Sequence, residues 1–110
     1  MHRGVITCRA ELLVVTVARM MAAHRIHSVV VPGAPLAVVT DADLPAALSA
    51  EGADRRTAGE IAREAAVVAP IDSVAGVLEL MVERETTHAI VVDAGQPVGV
   101  VSVLDIAGML

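Results

Sequence analysis

The chain has 110 residues, 55% of them apolar and none aromatic, and it carries a net charge of −5 with arginine as its only strong base. An acidic chain without aromatic stacking platforms does not suit nucleic acid, and the absence of lysine excludes Schiff-base and P-loop lysine chemistry. Cys8 is the only cysteine, so no intrachain disulfide forms; no signal peptide or membrane-length apolar run is visible, and the expectation is a soluble cytoplasmic protein.

In chain order, Val5-Ile6-Thr7 reads as a short strand and Glu11 to His24 as a helix. Leu12, Leu13, Val14, Val15, Val17, Ala18, Met20 and Met21 leave that helix almost no polar side, which predicts burial all round and a homodimer to complete it. Ser28-Val29-Val30-Val31 is a strand, Pro32 to Pro35 a turn, and Leu36 to Val39 a second strand. Thr40-Asp41-Ala42-Asp43-Leu44 then opens a helix. A polar joint from Ser49 to Arg56 follows, with Arg55-Arg56 read as a solvated pair, and Thr57 to Glu64 reads as a short helix. Ala66-Val67-Val68 is the next strand. Asp72-Ser73 is an N-cap signal, and Val74, Val77, Leu78, Met81 and Val82 share one helical face. Ala89 to Val92 and Val98 to Val101 form a hairpin around Asp93 to Pro97, closed by Ser102-Val103-Leu104-Asp105-Ile106.

The two halves repeat. Met20 is set against Met81 and His27 against His88, with the second turn one residue longer. The expected fold is mixed α+β: two βαββα units, residues 5–50 and 57–110, within one module spanning 1–110. A three-stranded sheet cannot bury both faces alone, so the units are expected to pack sheet to sheet about a pseudo-twofold axis. Thr40/Asp43 and Ser102/Asp105 have capping-box spacing. No nucleophile–base pair, Gly-rich phosphate loop or metal motif appears, so neither an enzyme nor a metalloprotein is expected. His24 and His27 read as surface or cleft residues, and Cys8 as a small buried one.

The Met-containing helices, the His-led strands, the Gly/Pro hairpins and Gly99-Val100-Val101-Ser102-Val103-Leu104-Asp105-Ile106 resemble the CBS-domain pair, or Bateman module, over nearly the whole chain. The resemblance implies a non-catalytic regulatory module that needs no cofactor and binds AMP, ADP, ATP or another adenosyl compound. It implies ribose contacts from Asp43 and Asp105, phosphate contacts from Thr40 and Ser102, and phosphate approach by His27 and His88. Backbone near Thr7 and Val68 would read the adenine edge, and an effector protein would read the ligand state. A ligand-free dimerisation or scaffold module of the same fold is the alternative. The chain departs from the family pattern at Ala37, which stands where the second copy has Gly99, at Pro45, and at Ser28 and Ala89. The first copy also begins near residue 5 without the leading stretch Thr57 to Ala62 that opens the second.

Overall fold

The computed structural model describes residues 2–3 and 5–109. The chain divides into two compact units: Ile6–Glu64, and Ala65 onward together with the N-terminal segment.

In the first unit, Thr7 bridges Val30 in parallel. The Val30 N–H donates to the Ile6 carbonyl and the Cys8 N–H to the Val30 carbonyl, both at 2.9 Å. Helix α1 (Val14–His24) starts three residues later than the sequence suggests. Leu13 is held extended by an antiparallel bridge to Thr57, and the Val14 N–H is already satisfied by the Arg56 carbonyl at 2.9 Å. The helix ends where Arg25 turns left-handed (φ 53°) and the Ile26 N–H reaches back to the Met21 carbonyl, a Schellman-type closure. Its outer side is Thr16, Arg19, Ala22 and Ala23, all exposed. Within the single chain the helix buries Val14, Val17 and Met21 and leaves this side uncovered.

Strand β2 (Ser28–Val31) pairs antiparallel with β3 (Ala37–Thr40), Val29 opposite Val39. Helix α2 (Leu44–Ser49) follows a single 3₁₀ turn, with Pro45 in its first turn, where a missing N–H costs nothing. Helix α3 (Ala58–Ile61) is capped reciprocally by Thr57 and Glu60. The expected helix to Glu64 stops at Ile61: Ala62 is extended, and β4 (Arg63–Glu64) adds to the edge of β3. An open strand edge offers unpaired backbone groups, which these two residues satisfy. Val17, Met21, Val29, Val31, Val39, Cys8 and Ala58 form one closed apolar cluster.

In the second unit the sheet order is β1-β7-β6-β5. Strand β5 (Val67–Val68) lies parallel to β6 (His88–Asp93), which pairs antiparallel with β7 (Gln96–Ser102); β1 (His2–Arg3) pairs antiparallel with the far edge of β7. Ala94 (φ 50°) and Gly95 (φ 78°) make the hairpin turn, the left-handed pair that matches strand twist. Helix α4 (Val74–Glu83) is capped by Ser73, whose Oγ accepts from the Gly76 N–H at 3.1 Å. Helix α5 (Val103–Met109) closes the unit. Ala66, Val68, Val77, Met81, Ala89 and Ile106 form its core.

The two units share a register one residue away from that suggested by matching the histidines. Val17 and Met21 hold the core positions of the first unit that Val77 and Met81 hold in the second, whereas Met20 is only half-buried at the edge. Val30 bonds to Ile6 as Ile90 bonds to Ala66. The His27 carbonyl accepts the Asp41 N–H as the Thr87 carbonyl accepts the Val103 N–H. Ser28 pairs with Thr40 as His88 pairs with Ser102. The counterpart of His27 is therefore Thr87, and that of His88 is Ser28. The second hairpin is longer by two residues, with a bulge after Val91. A one-residue slip would turn every core side chain to the wrong face, so packing overrides the coincidence of two histidines.

Candidate functional site: two carboxylates at helix starts

Each hairpin ends in a hydroxyl residue whose strand runs straight into a helical turn, and the aspartate three positions on folds back over that start. In the first unit, Asp43 Oδ2 accepts from the Thr40 backbone N–H at 2.8 Å and from Thr40 Oγ1 at 3.2 Å. In the second, Asp105 Oδ2 accepts from the Ser102 N–H at 2.9 Å, and Ser102 Oγ accepts from the Asp105 N–H at 3.1 Å. The Ser102 backbone N–H holds the Asp105 carboxyl below the ordinary carboxylate range, against a smaller opposing effect of burial. Both aspartates are thus fixed acceptors aimed by the same local hydrogen bond.

Their surroundings differ. Asp43 Oδ1 lies 3.0 Å from Arg63 Nε; the carboxylate side chain is 7% exposed and the arginine 77%. Ala42, Ala46, Ala47, Arg56, Ile61 and Arg63 line a cavity of about 240 Å³ around it. Arg56 Nε is buried, 3.3 Å from Glu60 Oε2, an ionic contact without the alignment of a hydrogen bond. The reading of Arg56 as solvated is thereby corrected, because the start of α3 folds over it. Asp105 instead stands on the wall of an apolar cleft of about 460 Å³ with Val68, Asp72 and Val77 among its lining.

Of the residues singled out from sequence, Thr40 joins Asp43, and Ser102 and Val68 join Asp105. Thr7 lines a different concavity, beside Cys8 and Pro32. His27 is exposed, its Nδ1 2.8 Å from Asp41 Oδ2, and His88 Nδ1 lies 2.9 Å from Thr87 Oγ1. The two histidines do not occupy equivalent places. Burial pushes the Cys8 thiol pKa up, which keeps it inert. Among the described residues no group of three or more His, Cys, Asp or Glu converges as a metal site, and no helix is long and apolar enough to cross a membrane. Sequence reasoning missed Arg63, since its partner lies across a sheet edge that only the fold creates.

The family model for the CBS domain matches residues 1–50 and 58–110. The chain belongs to the CBS-domain family. CBS domains are in general regulatory, non-catalytic modules. No curated protein matches the chain. Among solved structures, this CBS chain is similar to the hexameric CBS-CP12 protein from bloom-forming cyanobacteria, at 24% identity and TM-score 0.88, over 97% of this chain and 66% of that one. The chain thus spans just under two thirds of that relative's length. It is similar also to the CBS domain protein PAE2072 from Pyrobaculum aerophilum complexed with AMP, at 25% identity and TM-score 0.83, over 96% of this chain and 85% of that one. Hypoxic Response Protein I with two coordinated zinc ions is 28% identical, with TM-score 0.79, over 100% and 94% of the two chains.

Proposed function

We propose that this CBS pair is a non-catalytic sensor of an adenine nucleotide, AMP or a similar low-charge adenosyl compound, whose binding an effector protein reads. The observation that carries the reading is the acceptor geometry built twice: a carboxylate steadied through Oδ2 by the backbone at a helix start, at 2.8 Å in Asp43 and 2.9 Å in Asp105. The Asp105 carboxylate so held can accept both hydroxyls of a ribose with little reorganisation, whereas Asp43 can do so once Arg63 leaves its Oδ1. Arg63, largely exposed beside Asp43, supplies a cation that can turn to a phosphate. The AMP complex of PAE2072 supports the same ligand class. Thr40 and Ser102 would assist at the phosphate, and His27 and His88 contribute from non-equivalent positions. Calorimetric titration with AMP, ADP, ATP and adenosine tests it. Asp43→Ala and Asp105→Ala should each remove one binding event, and full affinity in the double variant would contradict the assignment.

A second reading, a scaffold of the same fold that binds no nucleotide, is favoured by one contact: Arg63 already occupies Asp43 Oδ1. Absence of heat with every adenine compound would support it. For self-association, the exposed Ile71 (92%), Val82 (79%) and Leu104 (79%) of the second unit support a homodimer. Sedimentation as a stable monomer at micromolar concentration would oppose that.

A further inference from the structure

Charge is divided unevenly along the chain. Residues 6–64 hold seven acids and six arginines, whereas residues 65–110 hold six acids and a single arginine. The excess of negative charge therefore lies in the second unit.

The division is sharpest on helices α1 and α4, which end alike. Arg25 (φ 53°) and Glu85 (φ 52°) each turn left-handed at the close of the helix, and the Ile26 and Thr86 N–H groups reach back to the Met21 and Met81 carbonyls, both at 3.0 Å. Counted from those ends, Arg19 stands where α4 has Glu79, and Arg25 where it has Glu85; Ala22 and Ala23 stand where it has Val82 and Glu83. All eight of these residues are exposed. Arg19, Ala22 and Ala23 share one face of α1, as Glu79, Val82 and Glu83 share one face of α4. Among the described residues, none of the five charged ones forms an ion pair within the chain. Size differs together with charge. Val82 is 79% exposed where α1 has a small alanine, and Leu104, also 79% exposed, stands where the first unit has exposed Ala42.

Three ways of covering these faces with a second copy can be compared. Two α4 faces set Glu79 and Glu83 against their like, with Val82 on Val82. Two α1 faces set arginine against arginine across flat alanines. An α1 face on an α4 face brings Arg19 and Arg25 to the glutamates and seats Val82 on Ala22 and Ala23, so both charge and shape favour the unlike pairing and penalise the like ones. We infer that self-association of this chain is polar: the α4 face of one copy is covered by the α1 face of another. The inference rests on the homodimer reading above and names the surfaces that make it.

The test is sedimentation velocity of the full chain at low ionic strength beside three variants. Arg19→Glu with Arg25→Glu makes both faces acidic, Glu79→Arg with Glu83→Arg makes both basic, and all four changes together exchange the two charges. Each two-site variant should raise the Kd for self-association by roughly tenfold or more, while the four-site variant should return it close to that of the original chain. Added salt should shrink the difference. Far-ultraviolet circular dichroism confirms that each variant is folded. Two-site variants that associate as well as the original chain, or a folded four-site variant that fails to recover, overturn the inference and leave the homodimer standing. An original chain that stays monomeric overturns the homodimer and the inference with it.

Discussion

Val17 and Val77 are equivalent residues in unequal surroundings, and truncating each to alanine reads that inequality directly. Val17 is 0% exposed inside the closed cluster that α3 covers; Val77 is 7% exposed on the wall of an open cleft of about 460 Å³. Either substitution removes two methyl groups from the core, worth ~1.6 kcal/mol at ~0.8 kcal/mol per buried carbon. At Val17 the neighbours cannot close the gap, and a void on the order of 40 Å³ adds ~1 kcal/mol at ~24 cal/mol per Å³. At Val77 the space opens to the cleft, so water or a side chain fills it and that addition largely vanishes. Val17→Ala should therefore cost ~2.6 kcal/mol and Val77→Ala ~1.6 kcal/mol. Urea unfolding followed by far-ultraviolet circular dichroism suits a chain without aromatic residues, with midpoints compared at constant m. If Val77→Ala costs as much as Val17→Ala, or more, the cleft is closed in solution and the reasoning fails.

Four further outcomes follow from the surroundings of single residues. Arg63→Ala releases Asp43 Oδ1, so adenosine should bind at least as tightly as before while AMP weakens; an unchanged ratio of the two affinities would remove Arg63 from any phosphate role. Because the folded Asp105 carboxyl titrates below its ordinary value, its stabilisation is complete above the unfolded pKa, about 4, and is lost as pH falls through the folded pKa. Asp105→Asn should then destabilise the chain at pH 7 and much less at the most acidic pH where it stays folded, and an equal loss at both would deny the charge any part. Gly59→Ala should destabilise by ~1–3 kcal/mol, since the new Cβ meets Ala10 Cβ and its carbonyl at 3.0 and 3.2 Å. Gly108→Ala, with nothing within 4 Å, should instead be neutral or stabilise α5 by up to ~1 kcal/mol in thermal melts.

The parts legible in the sequence were those fixed by local chemistry. Ser73 starts α4 because its hydroxyl caps the Gly76 N–H. Gly95 permits the left-handed hairpin turn, and the spacing of Thr40 to Asp43 and Ser102 to Asp105 encodes the fold-back of each carboxylate. Long-range pairing was not legible. Nothing local stops α3 at Ile61; the free edge of β3 draws Arg63–Glu64 into the sheet, and that step carries Arg63 onto Asp43. The register misled for a related reason: two histidines match by identity, but the buried faces of α1 and α4 match Met21 with Met81. Three-dimensional packing, which reads side-chain direction and not residue name, settles such a tie.

Acceptance of a ribose hydroxyl pair by the aspartate that closes a hairpin is tested by a crystal structure of the chain grown with AMP. Ribose oxygens should lie within about 3 Å of a carboxylate oxygen of Asp43 or Asp105, with Oδ2 still on the backbone of Thr40 or Ser102. AMP bound elsewhere, with both aspartates untouched, would contradict it.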